Sequence, residues 1–392
     1  MDKKQLIAKY KEHFSGEPSL FFSPGRVNLI GEHIDYNGGY VFPAAITFGT
    51  YAAAAPRKDQ KVRLLSGNFK HVGVLEFDLR DLSHTEDEDW SVFVKGVADQ
   101  FHQAGFKDLQ GFEAYVEGNI PNGAGLSSSA SLELLTAQIL ESLNGLDIDM
   151  VEKVKMGQRA ENEYVGVQCG IMDQFAIGMG KENYAIKLNT STLEYDYALA
   201  DLKDCSILIM NTNKRRELAD SKYNERLGEC KTALSKLQEK VKISHLCDLT
   251  TQEFFALTEV IGDPVIYRRA KHAVTENERV KLAISALAVG DLAAFGQLLN
   301  ESHISLRDDY EVTGYELDTI VSLAWQQEGV LGARMTGAGF GGCAIALVKN
   351  DCLDQVRQQI ADGYRSIMGY DADFYIASIG GGTKTLAEPV GE

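Results

Sequence analysis

The sequence lacks several features that would assign it directly to a class of protein. None of its six cysteines forms a C-x-x-C pair, so neither a zinc site nor a redox motif is indicated. No window holds about 18 consecutive apolar residues, so we expect no transmembrane helix. The segment from Met1 to Tyr10 is charged and has no apolar signal-peptide stretch. These absences predict a cytoplasmic protein whose cysteines are reduced thiols.

Basic residues are also scarce, because 39 Lys and Arg stand against 56 Asp and Glu, giving a net charge of −17. Such a surface repels nucleic acid and anionic membranes, so we expect neither as a partner. A local cationic pocket for an anionic small molecule is not excluded. The chain has 392 residues, 44% of them hydrophobic, which is more than one core usually supports. We therefore expect two domains.

Hydrophobic periodicity predicts strands and helices that are mixed without a regular βαβ alternation. Short strands are predicted at 20–22, 27–30, 40–54, 62–65, 74–77, 112–116, 184–188, 206–210, 343–348 and 374–379. Helices are predicted around 90–101, after the turn at 121–129, at about 149–165, through most of 214–330 and at about 351–367. This order favours an α+β fold in two lobes over a doubly wound sheet. A polar turn at 189–201 is predicted to separate domains 1–200 and 201–392.

Three glycine-rich or polar segments and one pair of acids stand out from this background. The segment 121–130, PNGAGLSSSA, is a glycine-rich loop that opens into a helix. Its free N–H groups and the helix dipole favour a phosphate. It has no lysine and is therefore not a Walker A loop, and a serine N-cap explains it equally well.

The segment 25–39, GRVNLIGEHIDYNGG, crowds charged and amide side chains beside two apolar strands. Sugars are recognised by such convergent donors and acceptors, although a polar loop with one salt bridge has the same composition. The segment 336–343, TGAGFGGC, could approach a phosphate or sugar, but a tight turn into a strand is the simpler interpretation. Glu161 and Asp173 could serve phosphoryl transfer, yet spacing alone does not distinguish them from surface acids.

Taken together, these segments resemble the motifs of the GHMP kinase family, which is named for galacto-, homoserine, mevalonate and phosphomevalonate kinases. The order of the three family motifs is matched at 23–39, 121–131 and 336–343. The stretch 25–36 is similar to the galactokinase signature within this family. The resemblance implies an N-terminal lobe like ribosomal protein S5 domain 2 and a C-terminal ferredoxin-like lobe, with the active site in the cleft between them.

The resemblance also implies roles for individual residues, with galactose and ATP as substrates, Mg²⁺ as the metal and a monomeric enzyme. Asp173 is implied as the catalytic carboxylate, with Arg26 against the reacting groups. Galactose binding is implied for Glu32, His33, Ile34, Asp35 and Tyr223. ATP binding is implied for Ser66, Gly123, Ala124, Gly125, Leu126, Ser127, Ser128 and Ser129. Ser129 and Glu161 are implied as Mg²⁺ ligands, and Trp90 and Phe93 as candidates for an adenine pocket. The 336–343 motif is implied to close over the sugar and phosphate.

Two alternatives follow from the same motifs. A GHMP kinase could act on another substrate such as N-acetylgalactosamine, because the sequence does not show the room at C2. A galactose sensor without catalytic activity is the other alternative. In the resemblance such sensors lose Ser-Ala residues from the second motif, whereas Ser129-Ala130 is intact here. The motifs therefore favour an active kinase over a sensor.

Overall fold

The computed structural model of the chain describes residues 2–84, 89–121, 125–214 and 219–387. Its strands are β1 (Ser19–Asn28), β2 (Tyr40–Val41), β3 (Pro43–Pro56), β4 (Lys61–Ser66), β5 (Val74–Asp78), β6 (Phe112–Gly118), β7 (Tyr184–Asn189), β8 (Tyr195–Leu199), β9 (Cys205–Asn211), β10 (Val330–Thr336), β11 (Cys343–Lys349), β12 (Asp373–Ala377) and β13 (Lys384–Leu386). Its α-helices are α1 (Lys3–Lys11), α2 (Ser91–Gln103), α3 (Ser128–Leu143), α4 (Met150–Arg159), α5 (Met172–Met179), α6 (Ala219–Gln238), α7 (Thr251–Ala256), α8 (Thr258–Ile261), α9 (Pro264–Ala288), α10 (Leu292–Ser305), α11 (Gly314–Trp325) and α12 (Leu353–Met368).

The first half of the chain is built around a six-stranded sheet of order β13-β1-β3-β6-β4-β5. All of its pairs are antiparallel except the parallel pair of β4 and β6. Helix α3 packs against β1 and β3, and α2 packs against α3. The small buried residues Ala52 and Ala54 of β3 lie on the face that packs against this helical layer, whereas Ala53 lies on the opposite face. Helix α1 contacts β3 and β6 and buries Leu6 and Tyr10 in a separate cluster.

The second half contains a four-stranded antiparallel sheet of order β10-β11-β9-β12, with α10, α11 and α12 among the helices that pack against it. The large apolar core extends across both halves, from Val27 to Ile379. Strand β13 returns to the first sheet, where Leu386 pairs with Leu20. The observed mixture of sheets and helices confirms the predicted α+β class. The division at residue 200 stays a prediction, because the last strand joins the first sheet.

Several local expectations differ from the structure: strands β10 and β13 were not predicted, and the predicted strand 40–54 is divided into β2 and β3. The predicted strand 20–22 and the first half of the predicted strand 27–30 belong to one continuous strand, β1, whose pairing with β3 shifts register between Pro24 and Arg26. The predicted polar turn 189–201 contains β8, which forms a hairpin with β7 and, through β7, a three-stranded sheet with β2. Strand β8 alternates between Tyr195, Asp196 and Tyr197, and the two tyrosine rings contact each other edge to face.

Candidate active site

The three motifs and the two acids meet around one cavity of about 290 Å³. Its wall is formed by the end of β1 and the loop after it, the start of α3, the segment before α5, the helix α6 and the loop between β10 and β11. The lining residues are Arg26, Glu32, His33, Asp35, Gly125, Ser127, Ser128, Ser129, Glu161, Val167, Cys169, Gly170, Met172, Asp173, Tyr223, Gly337 and Ala338. Both halves of the chain therefore contribute to a single site.

An ion pair between Arg26 and Asp173 forms the centre of this cavity. Arg26 Nε donates to Asp173 Oδ1 at 2.8 Å, and Nη2 donates to Oδ2 at 2.7 Å. This two-pronged geometry fixes the plane of the carboxylate. Burial disfavours the guanidinium cation, yet the carboxylates of Asp173 and Glu32 raise the pKa of Arg26 above its ordinary value. The β1 bulge turns Arg26 towards the cavity, where Asp173 is partly exposed.

The glycine-rich loop before α3 is bound to the same ion pair. Arg26 Nη1 donates to the carbonyl oxygen of Gly125 at 2.7 Å, and the Ser127 hydroxyl donates to Asp173 Oδ2. Ser127 precedes α3 with φ of 62° and makes no side-chain cap, so the N-cap explanation of the serines does not apply to it. A non-glycine residue in the left-handed region is strained. Its hydroxyl instead places a donor beside the Asp173 carboxylate.

Glu32 is buried at the edge of the cavity and is held by partners from both halves. Asn28 Nδ2 donates to its Oε2 at 2.6 Å, and the backbone N–H of Gly337 donates to its Oε1 at 2.7 Å. The guanidinium of Arg334, which is fully buried in β10, lies 3.5 Å from Oε1. The His272 ring makes a 3.0 Å hydrogen bond with the Glu32 carbonyl oxygen. These contacts tie the 25–39 loop to the 336–343 loop.

Asp35 occupies a space that exists because residue 170 is glycine. A Cβ atom on Gly170 would lie 1.7 Å from Asp35 Oδ2, so the carboxylate could not keep this position beside any other residue. Burial, together with the charges of Asp173 and Glu32, raises the pKa of Asp35 to about 7. The cavity thus contains one carboxylate paired with Arg26 and a second one that titrates near neutrality.

His33 and Tyr223 form the aromatic part of the cavity wall. Their ring centroids lie 5.4 Å apart, with Tyr223 supplied by α6. Nε2 of His33 is 3.1 Å from the carbonyl oxygen of Ala338, and Nδ1 is 2.7 Å from the hydroxyl of Tyr36. Burial and the neighbouring His272 lower the pKa of His33 to about 3, so the ring is neutral at physiological pH.

Glu161 and Ser129 provide the oxygen atoms that could hold a metal ion. Ser129 Oγ donates to Glu161 Oε1 at 3.3 Å, and Gln174 Nε2 donates to both Glu161 Oε2 at 2.8 Å and Glu133 Oε2 at 3.0 Å. Burial raises the pKa of both glutamates. Within the described ranges, no group of three or more His, Cys, Asp or Glu is arranged around a metal. Mg²⁺ commonly takes one or two protein oxygens beside substrate phosphates and water, so this pair fits it.

A second cavity of about 220 Å³ adjoins the first and shares Ser128 and Ser129 with it. Its walls are mainly apolar and come from the first half of the chain. The remaining lining residues are Thr50, Ser66, Asn68, Phe69, Trp90, Phe93, Val116, Gly118, Ile120 and Leu132. Ser66, Trp90 and Phe93, which were predicted from the sequence, therefore lie together. The Ser66 hydroxyl accepts the N–H groups of Asn68 and Phe69, each at 3.2 Å.

Some predicted residues do not line either cavity. The side chain of Ile34 is fully buried in the core, and that of Leu126 is buried while its carbonyl accepts the N–H of Arg26 at 3.2 Å. Gly123 and Ala124 lie outside the described residues. The structure brings the other predicted residues to one cavity or to the other. None of these placements identifies a ligand by itself.

Residues that the motifs did not mark also shape the site. Val167, Cys169 and Met172 line the first cavity, and Arg334 holds Glu32. Asn28, which lies in the 25–39 segment but was assigned no role, also holds Glu32. The sequence carries one signal for this group. Arg334 lies in the apolar strand β10, where a charged residue without a partner would be costly. The long-range contacts of the others have no local signature.

The chain matches known family models in three places. It matches the galactokinase galactose-binding signature over residues 8–56, the GHMP kinases N-terminal domain over 92–181 and the GHMP kinases C-terminal domain over 283–366. It is 55% identical to a galactokinase of Clostridium beijerinckii, over 98% of this chain and 97% of the relative. It is 54% identical to a galactokinase of Lactiplantibacillus plantarum, over 98% and 100%.

Solved structures agree with these matches. The structure of Lactococcus lactis galactokinase complexed with galactose superposes with a TM-score of 0.96 at 51% identity, covering 98% of this chain and 99% of that one. The mevalonate kinase of Methanococcus jannaschii superposes with a TM-score of 0.67 at 18% identity, covering 93% and 99%. At that identity the second likeness concerns the fold alone.

Proposed function

This chain belongs to the galactokinase family of the GHMP kinases, and from that membership we propose that it transfers the γ-phosphoryl group of ATP to the C1 hydroxyl of α-D-galactose. The products are α-D-galactose 1-phosphate and ADP. One observation carries the proposal further than the family match does. The Arg26–Asp173 pair lies in a cavity that also contains Glu32, His33 and Asp35 and that adjoins an aromatic cavity across Ser128 and Ser129.

Galactose occupies the first cavity in this proposal. Its hydroxyls would meet the carboxylates of Glu32 and Asp35, the imidazole of His33 and the hydroxyl of Tyr223, all of which line the wall. Each of these groups donates or accepts hydrogen bonds in a fixed direction, which suits a ligand whose hydroxyls both donate and accept. Ile34 would contribute through its backbone, because its side chain is buried in the core.

ATP binds across both cavities. The adenine would enter the pocket of Trp90, Phe93 and Ser66, while the phosphates would lie along the start of α3, where Ser128 and Ser129 line both cavities. The N-terminus of this 16-residue helix offers unpaired N–H groups and a favourable dipole to phosphate oxygens. The γ-phosphate would then point towards Asp173.

Asp173 receives the proton of the C1 hydroxyl or orients that hydroxyl towards the γ-phosphate. The bidentate contact with Arg26 fixes the orientation of this carboxylate. The same guanidinium can stabilise negative charge that develops on the phosphoryl oxygens. Since the transition state of phosphoryl transfer has a loose character, positioning and electrostatics supply most of the rate.

Ser129 and Glu161 hold Mg²⁺ in this proposal. When bound, the ion would neutralise charge on the β- and γ-phosphate oxygens. Gln174 orients Glu161 through the 2.8 Å hydrogen bond to its Oε2, which leaves Oε1 directed towards Ser129. Hard oxygen donors of this kind are the ligands that Mg²⁺ prefers.

The remaining expectations concern the whole chain. We infer a monomer, because residues of one chain line both cavities. The division into domains 1–200 and 201–392 remains a proposal. The two sheets support it, although strand β13 from the second domain pairs with β1 in the first sheet. In the part of the chain that the structure describes, no helix has the length and apolar character needed to cross a membrane. The cytoplasmic location stays a prediction from the sequence.

The proposal is tested by measuring ADP release with galactose, glucose, N-acetylgalactosamine, mevalonate and homoserine as parallel acceptors. We expect turnover with galactose, and phosphorus NMR of the product should show a phosphate on C1. Turnover of mevalonate or homoserine in its place would contradict the substrate. Binding of galactose and ATP without ADP release would instead support the sensor alternative.

A further inference from the structure

A chain of hydrogen bonds runs from the cavity wall into the core behind His33. Nδ1 of His33 lies 2.7 Å from the Tyr36 hydroxyl, and that hydroxyl lies 2.8 Å from the hydroxyl of Tyr310. The Tyr310 hydroxyl is in turn 3.1 Å from Sγ of Cys230. Neither Tyr310 nor Cys230 lines the cavity, and neither stands out in the sequence. These contacts connect two buried residues outside the cavity to the ring of His33.

The groups at the two ends of this chain of hydrogen bonds determine which atom donates in each bond. At the cavity end, Nε2 of His33 lies 3.1 Å from the carbonyl oxygen of Ala338, which can only accept. At the other end, Asn37 Nδ2 lies 3.6 Å from Cys230 Sγ and 2.9 Å from the His33 carbonyl oxygen, and an amide nitrogen can only donate. A neutral His33 must therefore carry its proton on Nε2 and accept at Nδ1. Tyr36 then donates to His33, Tyr310 to Tyr36 and Cys230 to Tyr310.

The burial of these groups keeps every member of the chain neutral. Burial lowers the pKa of His33 to about 3 and raises the pKa of the Cys230 thiol to about 11. Burial also raises the pKa of both Tyr36 and Tyr310 well above the ordinary value. At physiological pH the hydroxyls and the thiol therefore retain their protons. The direction deduced from the two ends then holds throughout.

Tyr310 is rigidly placed for this task. It ends a π-helical turn, Leu306–Tyr310, that continues α10, and such turns often occur at functional sites. Its side chain is fully buried, and its ring lies 5.0 Å from the ring of His33 and 4.5 Å from that of His272. The hydroxyl has little freedom to reach another partner. Its position thus determines that the Tyr36 hydroxyl accepts from Tyr310 and donates to His33.

We propose that Tyr310, acting through Tyr36, is a positioning residue that holds His33 as an Nε2–H donor to the Ala338 carbonyl, on the cavity wall that faces the substrate. The proposal rests on the proposed function only in taking that substrate to be a sugar. Nε2–H donates to the carbonyl oxygen of Ala338, and that oxygen has a second lone pair that can accept from a substrate hydroxyl at the same time. An ether or carbonyl oxygen of a ligand has no proton to donate to it. The chain of hydrogen bonds thereby makes this part of the cavity wall selective for a ligand hydroxyl.

The tautomer of His33 is measured directly by nitrogen-15 NMR of the imidazoles in the whole protein, with its resonance assigned by loss in His33→Gln. We expect a protonated Nε2 and a hydrogen-bonded Nδ1 in the native chain. Tyr36→Phe should move the Nδ1 resonance downfield or exchange the tautomer, because the donor to Nδ1 is gone. Tyr310→Phe should produce a smaller shift in the same direction.

Kinetics provide a second readout that a purely structural role would not produce. The KM for galactose should rise about tenfold in Tyr36→Phe and about threefold in Tyr310→Phe, as expected for one buried hydrogen bond lost or weakened. The KM for ATP and kcat should stay unchanged. Cys230→Ser retains a donor to Tyr310 and should keep the native KM, whereas Cys230→Ala should behave as Tyr310→Phe does.

Tyr364→Phe is the matched control, because Tyr364 is fully buried and its hydroxyl donates to the Thr212 carbonyl at 2.9 Å, away from both cavities. It should change neither the His33 resonance nor the KM for galactose. Native values of both in Tyr36→Phe and Tyr310→Phe would overturn the proposal, as would equal effects in Tyr364→Phe. If the native chain does not phosphorylate galactose but the His33 resonance still shifts as expected, the positioning role stands and the proposed substrate fails.

Discussion

The two adjoining cavities are built in different ways from different parts of the chain. The first is crowded with charge and polar atoms and takes its lining from both halves, from Arg26 to Ala338. The second is mainly apolar and takes its lining from the first half alone, from Thr50 to Leu132. The first requires the two halves to meet correctly, whereas the second needs only the first sheet and its helices.

This difference suggests that the first cavity carries out the chemistry and that the second anchors a ligand. Charges that must be placed to within fractions of an ångström lie where many long-range contacts hold them, as Asn28, Arg334 and Gly337 hold Glu32. An apolar pocket tolerates looser placement, because dispersion and hydrophobic burial have little directionality. Substitutions in the first cavity should therefore change kcat and the KM for galactose. Substitutions in the second cavity should change the KM for ATP.

The largest effect is expected from Asp173→Asn. The amide keeps the size of the side chain but cannot accept a proton, so kcat should fall about 10³-fold, within the range typical of a lost general base. Galactose binding, measured by calorimetry, should remain. Asp308→Asn is a control, because Asp308 pairs with Arg307 at the surface outside both cavities. Near-normal turnover in Asp173→Asn would remove this residue from the catalytic role.

Loss of the metal ligands should rank second. Ser129→Ala combined with Glu161→Ala removes both oxygen donors, so half-maximal rate should need about 10–100 times more Mg²⁺. The measurement is a Mg²⁺ titration of the initial rate at constant ATP. Ser142→Ala combined with Glu152→Ala alters exposed residues on the neighbouring helices α3 and α4 and should leave the titration unchanged. An unaltered requirement in the first variant would refute the ligand assignment.

Trp90→Ala should affect only the second cavity. Stacking of a base on an aromatic ring contributes about 1–3 kcal/mol, so the KM for ATP should rise about 30-fold while the KM for galactose stays constant. Trp90→Phe retains a ring and should recover most of the affinity. A fall in melting temperature with equal changes in both KM values would show that Trp90 serves the core of the first half and not the nucleotide.

The sequence could predict the α+β class and most strands, because their signals are local, and the family resemblance indicated several members of both cavities. Glycine runs, a helix start and an alternating strand each depend on a few neighbouring residues. Strands β8, β10 and β13 were not among the predicted strands. Strand β8 was missed although its first residues alternate between aromatic and acidic, and the structure identifies it by its pairing with β7.

The long-range supports of the site could not be predicted, since they join residues hundreds of positions apart. Arg334 reaches Glu32 and the backbone of Asn28 across 302 and 306 positions. The path from Tyr310 to His33 likewise depends on how α10 and its π-helical turn pack on the first half. Composition and periodicity contain no information about such contacts. They follow from the fold as a whole.

The smallest effect, and the one that best separates positioning from binding, is expected from Gly170→Ala. The three heavy atoms nearest to a Cβ on Gly170 all belong to the Asp35 carboxylate, at 1.7, 2.3 and 3.0 Å. The backbone of Gly170 does not lie in the left-handed region, so alanine is compatible with the chain itself. The carboxylate must therefore move, at a cost of about 1 kcal/mol, and the KM for galactose should rise about fivefold.

A double-mutant cycle then decides whether the effect acts through Asp35. In the Asp35→Ala background the obstructing carboxylate is absent, so adding Gly170→Ala should change the KM for galactose no further. Gly228→Ala, where a Cβ has no neighbour within 4 Å, controls for the added methyl group. If the fivefold loss persists without the Asp35 side chain, the methyl group acts on the loop before Asp173, and the glycine serves the catalytic carboxylate instead of the sugar-binding one.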